Sequence, residues 1–132
     1  MRKITTFLMF EGKAEEAMNF YISLFPDSRI KSISRYGENE DGPAGSVRHA
    51  LFALNGQEFM SIDSVVSHGF SFTPAMSLFV SLDTESEIDE LYAALSEGGQ
   101  ALMPLGAYPF SKKYGWVKDK YGVSWQLTLA DI

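Results

Sequence analysis

The sequence predicts an α+β domain in which tandem βαβββ repeats form a curved mixed-sheet trough with helices on its outer face. Three observations carry this prediction. Strand-like and helical runs follow one another as strand, helix, strand, strand, strand, and that order occurs twice. The two passes also align residue by residue. Phe20-Tyr21 matches Leu91-Tyr92 at an offset of 71, which pairs Thr6 with Ser77. Asn55-Gly56 matches Tyr121-Gly122 at an offset of 66, which pairs Phe59 with Trp125 and Met60 with Gln126. Finally, each pass closes on a hairpin signal, Gly-containing connectors between β-rich runs. The 132 residues are read as one domain, 1–132, with half-repeats of about 1–66 and 67–132.

Lys3 to Phe10 is β-branched and aromatic and reads as a strand. After Glu11-Gly12-Lys13, apolar residues at Ala14, Ala17, Met18, Tyr21 and Leu24-Phe25 recur at helical steps, and Pro26 stops the helix. Arg29 to Tyr36 reads as a strand, and Gly37 to Gly45 as a polar, Gly-rich loop. Val47 to Leu54 and Glu58 to Ser64 form a hairpin, because Asn-Gly is the residue pair a type I′ turn favours. Val65 to Thr73 is a linker and Ala75 to Leu82 a strand. Thr84 and Glu87 have capping-box spacing ahead of a helix whose stripe is Ile88, Leu91, Tyr92 and Leu95, ended by Gly98-Gly99. Gln100 to Met103 is predicted as a short strand and Pro104 to Tyr114 as a loop. The last hairpin joins Trp116-Val117 to Val123–Leu129 through Lys118 to Gly122.

Composition excludes several classes. There are no cysteines, which removes disulfide frameworks, thiolate zinc sites and cysteine nucleophiles. A formal charge of −6 repels a phosphate backbone, so no nucleic-acid partner is expected. Lys112, Lys113, Lys118 and Lys120 read as a solvated hairpin edge. Seven largely apolar residues before Glu11 are too few for a membrane span and lack the small-residue cleavage site of a secretory signal, and a soluble cytoplasmic protein without a membrane partner is expected. No Ser-His-Asp order, phosphate loop or close carboxylate pair stands out, nor a Gly-rich strand-to-helix loop for a nucleoside cofactor.

The tandem βαβββ pattern, Ala17 to Tyr21 ending the first helix, the Asn-Gly hairpin after Val47-Arg48-His49-Ala50, and the run Tyr114 to Leu127 (YGWVKDKYGVSWQL) resemble the vicinal oxygen chelate superfamily. This is the group of glyoxalase I, bleomycin-resistance proteins and extradiol dioxygenases. Within it the chain is most similar to the PhnB-like branch, some of whose members carry a demethylubiquinone methyltransferase label. The resemblance implies a glyoxalase-like fold, a small-molecule ligand and a homodimer. It also implies four metal-ligand positions on the first and last strands of each half. Those fall near Thr6, Met60, Ser77 and Gln126, a set of hydroxyl, thioether and amide donors poor for a divalent metal. No cofactor is therefore predicted, and a divalent metal is the one kind the resemblance leaves open.

The expected function is thus a PhnB-like small-molecule-binding protein with a degenerate metal site. The alternatives are a metal-dependent lyase, isomerase or dioxygenase with a rearranged site, and a non-catalytic dimeric interaction module. His49 is the candidate catalytic base, with Asp63 either orienting it or opening a turn, and His68 a surface residue. Thr6, Met60, Ser77, Trp116, Trp125 and Gln126 are the candidate pocket set. A buried Gln126 amide must meet a ligand, water or metal, unless it points to solvent. Tyr108, Phe110, Tyr114, Trp116 and Trp125 suit either a core or the walls of a pocket, and Met9, Met60, Met76 and Met103 suit adaptable filler.

Overall fold

A computed structural model of the chain describes residues 2–130. Among them are two helices and eight strands, in chain order β1 (Thr6–Phe10), α1 (Ala14–Leu24), β2 (Arg29–Arg35), β3 (Val47–Leu54), β4 (Gln57–Asp63), β5 (Ser77–Leu82), α2 (Glu85–Ser96), β6 (Gln100–Tyr108), β7 (Ser111–Lys118) and β8 (Ser124–Leu129). The strands form two mixed sheets, β1-β4-β3-β2 and β5-β8-β7-β6. The fold is the expected α+β pair of βαβββ passes, and the chain divides into two compact units between Phe70 and Ser71.

In the first unit β1 runs parallel to β4 and the other pairs are antiparallel. The β3–β4 hairpin turns on Asn55 (φ 51°) and Gly56 (φ 83°), the positive-φ pair a type I′ turn requires. Helix α1 buries Ala14, Ala17, Met18 and Tyr21, one stripe at helical spacing. It packs on β2, β3 and β4 over Leu8, Phe10, Phe52 and Phe59, with Phe52 and Phe59 stacked at 5.4 Å. Strand alternation puts Phe7, Met9, Leu51, Met60 and Ile62 on the other, uncovered face.

Helix α1 has no side-chain cap of its own at Lys13. Asp63, at the end of β4, supplies it from a distance. Its Oδ1 accepts from the amides of Gly12 (2.8 Å) and Ala14 (2.9 Å), and its Oδ2 from Val47 (2.9 Å). One buried carboxylate thus fixes the end of β1, the start of α1 and the start of β3.

The second unit repeats this plan with different fastenings. Thr84 and Glu87 form the expected capping box on α2, and Ile88, Leu91 and Leu95 are buried, while Tyr92 is half-buried. Asp119 ties the β7–β8 turn by accepting from the amides of Tyr121 (2.8 Å) and Val123 (3.0 Å) and from Trp125 Nε1 (2.9 Å). The region predicted as a loop, Pro104 to Tyr114, instead continues β6 to Tyr108 and begins β7 at Ser111. Pro104 is tolerated because β6 ends its sheet, and register shifts between Ala101 and Tyr108 absorb the irregularity. No helix of the described residues is long and apolar enough to cross a membrane.

Candidate functional site

The faces of the second sheet follow from one close approach. A Cβ on Gly115 would lie 2.6 Å from the Tyr92 ring of α2, so Gly115 and its alternating partner Val117 face the helix. Trp125 is in register with Val117 and Leu127 with Gly115, so these also face the helix. Tyr114, Trp116, Lys118, Ser124, Gln126 and Thr128 therefore share the uncovered face, joined by Ser77 and Phe79 of β5.

Three hydrogen-bonded groups run along that face. At one end Ser77 Oγ and Ser124 Oγ lie 2.7 Å apart, and Trp116 Nε1 donates to Ser124 Oγ at 2.8 Å. In the middle the Tyr114 hydroxyl donates to Gln126 Oε1. At the far end Ser111 Oγ meets Thr128 Oγ1 at 2.7 Å. The β6–β7 hairpin tip shields the middle group: Tyr114 packs edge-on against Tyr108 (5.6 Å) and Phe110 (4.9 Å) and is 4% exposed. Burial, with the nearby Tyr108 adding to it, raises the Tyr114 pKa, so its phenol keeps the proton it donates.

This arrangement leaves Gln126 half-committed. Its carbonyl oxygen is held by Tyr114, and its Nε2 donors have no protein partner among the described residues. Beside it stand the half-buried Trp116 and the Phe79 ring, 60% exposed. An aimed amide donor flanked by two aromatic surfaces is what a small ligand with an acceptor oxygen and an apolar body would meet.

The candidate pocket residues divide by face. Ser77, Trp116 and Gln126 come together. Trp125 does not join them: it is 1% exposed, on the α2 side, with its indole on Asp119. Neighbours on a strand point opposite ways, so Trp125 and Gln126 could not both face one ligand. In the first sheet Met60 lies on the uncovered face, in register with Phe7, while Thr6 is in register with Phe59 and points to the α1 side. His49 is exposed on the uncovered face, opposite Ser34. Asp63 faces the other way with both oxygens on amides, so it cannot orient His49; its role is structural. His68 is a loop residue, its Nε2 2.9 Å from Ser64 Oγ and its ring stacked on Phe70.

Register also corrects the repeat. With the hairpin offset of 66 kept, the parallel pairings make Phe7 the counterpart of Phe79 and Met60 that of Gln126. Thr6 then corresponds to Leu78, not Ser77. A slip of one residue moves a side chain to the other face. The first- and last-strand positions on the uncovered faces are thus Phe7 with Met60, and Phe79 with Gln126.

The family profile described as 3-demethylubiquinone-9 3-methyltransferase matches residues 2–128. The chain belongs to that family. A PhnB protein from Bacillus cereus is 70% identical over 98% of this chain and 100% of its own, with a TM-score of 0.96. This PhnB-like protein shares the vicinal oxygen chelate fold with more distant structures. One is a glyoxylase/bleomycin resistance protein/dioxygenase domain from Frankia, 13% identical over 99% of this chain and 93% of that one, with a TM-score of 0.66. Another is the fosfomycin resistance protein FosX from Listeria monocytogenes, solved with Mn(II), 11% identical over 100% and 95%, with a TM-score of 0.64. No match is found among curated proteins.

Among the described residues the first- and last-strand positions do not fit a metal, and the strand-to-helix turns do not fit a nucleoside-linked methyl donor. In the first unit the Phe7 ring offers a cation no lone pair and Met60, in register with it, is a soft donor; in the second the Phe79 ring likewise offers none, which leaves Gln126 as the one oxygen donor of its pair. Among the described residues no group of three or more His, Asp or Glu side chains converges. The strand-to-helix turns where a nucleoside cofactor would seek free amides are closed by protein groups, Asp63 at α1 and the Thr84–Glu87 box at α2.

The residues missed in sequence are Phe79, Ser124 and the role of Tyr114 as the clamp on Gln126. Alternation along β8 carries the signal for Ser124 and Gln126 sharing a face. The Tyr114 contact depends on the pairing of β7 with β8, which composition does not reveal.

Proposed function

We propose that this PhnB-like protein is a small-molecule-binding protein whose ligand lies on the uncovered face of the β5-β8-β7-β6 sheet. The observation that carries the reading is Gln126: its oxygen is held by Tyr114 and its amide hydrogens are left to an outside acceptor, between Trp116 and Phe79. An uncommitted donor on a partly shielded aromatic floor is stabilised by a ligand that supplies an oxygen and buries the rings. We also read the protein as a cytoplasmic homodimer. Each sheet has two end strands, β1 and β2 in one and β5 and β6 in the other, each with a side unpaired within its sheet that a second copy can cover.

The test is a ligand screen by saturation-transfer NMR on the wild-type protein, Gln126→Leu and His49→Gln. Hits should be lost with Gln126→Leu and kept with His49→Gln. Hits that survive Gln126→Leu but vanish with His49→Gln would move the site to the first sheet and overturn the reading.

A further inference from the structure

We infer that the uncovered face of the second sheet selects an anion, a small aromatic carboxylate held by Lys118 and Gln126 with its ring on Trp116 and Phe79. The inference rests on the binding reading above and gives that ligand its charge class.

The protein is acidic, with 17 Asp and Glu against 11 Lys and Arg, yet its acids avoid this face. Among the described residues of the second unit, Glu85, Glu87, Asp89 and Glu90 lie on α2, Asp83 and Glu97 flank it, and Asp119 is buried in the β7–β8 turn. Helix α2 lies on the Gly115 side of the sheet, away from Gln126.

Strand β7 sorts its lysines accordingly. Lys113 is claimed by the helix, 2.6 Å from Asp89 and 3.4 Å from Glu85, and these acids raise its pKa, Asp89 most. Lys118, in register with Ser124, stands on the uncovered face and is half-buried. Its ammonium has no carboxylate partner among the described residues. Gln126 is two residues from Ser124 on the same face, about 7 Å along the strand, within the span of a lysine side chain. One ammonium and one amide can each take one carboxylate oxygen, and charge-assisted bonds of this kind are the strong ones. Read from sequence, Lys118 was part of a solvated edge; the pairing of β7 with β8 places it beside an uncommitted donor and two rings.

The experiment titrates the full-length protein with 2-naphthoate and, separately, with its neutral analogue 2-naphthamide, following tryptophan fluorescence. Naphthoate should bind at least about tenfold more tightly than naphthamide, a difference of ~1.4 kcal/mol. Lys118→Gln, a surface substitution that leaves the fold's hydrogen bonds untouched, should erase that preference, and raising the salt concentration should weaken naphthoate binding alone. Equal binding of the two ligands, or a preference that persists in Lys118→Gln, overturns the anion inference while leaving the binding reading standing. If neither ligand binds and the ligand screen also yields nothing, both fall.

Discussion

Tyr114 donates its phenolic hydrogen to Gln126 Oε1, diagonally across the β7–β8 pair. The bond decides which end of the amide faces outward, and so turns a polar residue on a sheet into an aimed donor. Tyr114→Phe keeps the ring packing against Tyr108 and Phe110 and removes only the clamp. Loss of one such bond costs about 1 kcal/mol, and ligand affinity should fall about fivefold through the freed Gln126. Unchanged affinity in a calorimetric titration would show that the clamp does not orient the amide.

The same phenol sets a pH dependence. Tyr114 has its pKa raised, first by burial and then by Tyr108, and Tyr92 is raised mainly by burial. An unfolded tyrosine ionises near about 10, before these two do in the fold. Above that pH unfolding releases protons, so stability should fall as pH rises further, and the Tyr114 contribution is lost through its folded pKa. Urea unfolding across pH 9–12 should show a smaller alkaline loss in Tyr114→Phe than in wild type. Identical losses would exclude Tyr114 as a source.

Asp63 is the costliest polar group to remove. Asp63→Ala strands the amides of Gly12, Ala14 and Val47 at once and should destabilise by at least about 3 kcal/mol, seen as a lowered urea midpoint. Asp63→Asn, which keeps one acceptor oxygen, should cost less. Near-equal midpoints for the wild type and Asp63→Ala would contradict the shared-cap account.

Ser61 offers the opposite case. It is fully buried and its hydroxyl has no hydrogen-bond partner among the described residues, while its counterpart in the second unit is Leu127. Ser61→Ala should leave stability unchanged or raise it by about 1 kcal/mol. A clear loss in thermal denaturation would mean that the hydroxyl has a partner in solution.

Two glycines separate close packing from mere flexibility. A Cβ on Gly99 would sit 2.2 Å from the Lys118 carbonyl oxygen, so Gly99→Ala should cost about 2–3 kcal/mol. Gly106 has nothing within 4 Å of its Cβ position, and Gly106→Ala should stay within about 0.5 kcal/mol of wild type. Paired denaturation curves check both.

How much was legible in the sequence depended on range. The Asn55-Gly56 turn and the Thr84–Glu87 box are local devices, set by residues within three positions of each other, and both form as read. Pro104 misled because its missing amide hydrogen argues against a strand unless that strand is at an edge, and edge position is a property of the whole sheet. Thr6 was paired with Ser77 through a one-residue slip between offsets that only inter-strand register exposes, whereas Trp125 and Gln126, adjacent on one strand, were both placed in the pocket against the alternation that the sequence itself carries. Asp63 was read as a turn residue or a partner for His49, because a cap supplied from 49 residues away leaves no local pattern.

The central claim is that Gln126 presents its amide to a ligand on the second sheet. In the ¹H–¹⁵N spectrum of labelled protein, the Gln126 side-chain amide pair should shift on addition of 2-naphthoate and saturate at the affinity given by tryptophan fluorescence. Saturable binding that leaves the Gln126 pair unmoved, while the amides of Leu51 and Met60 in the first sheet shift, would contradict it.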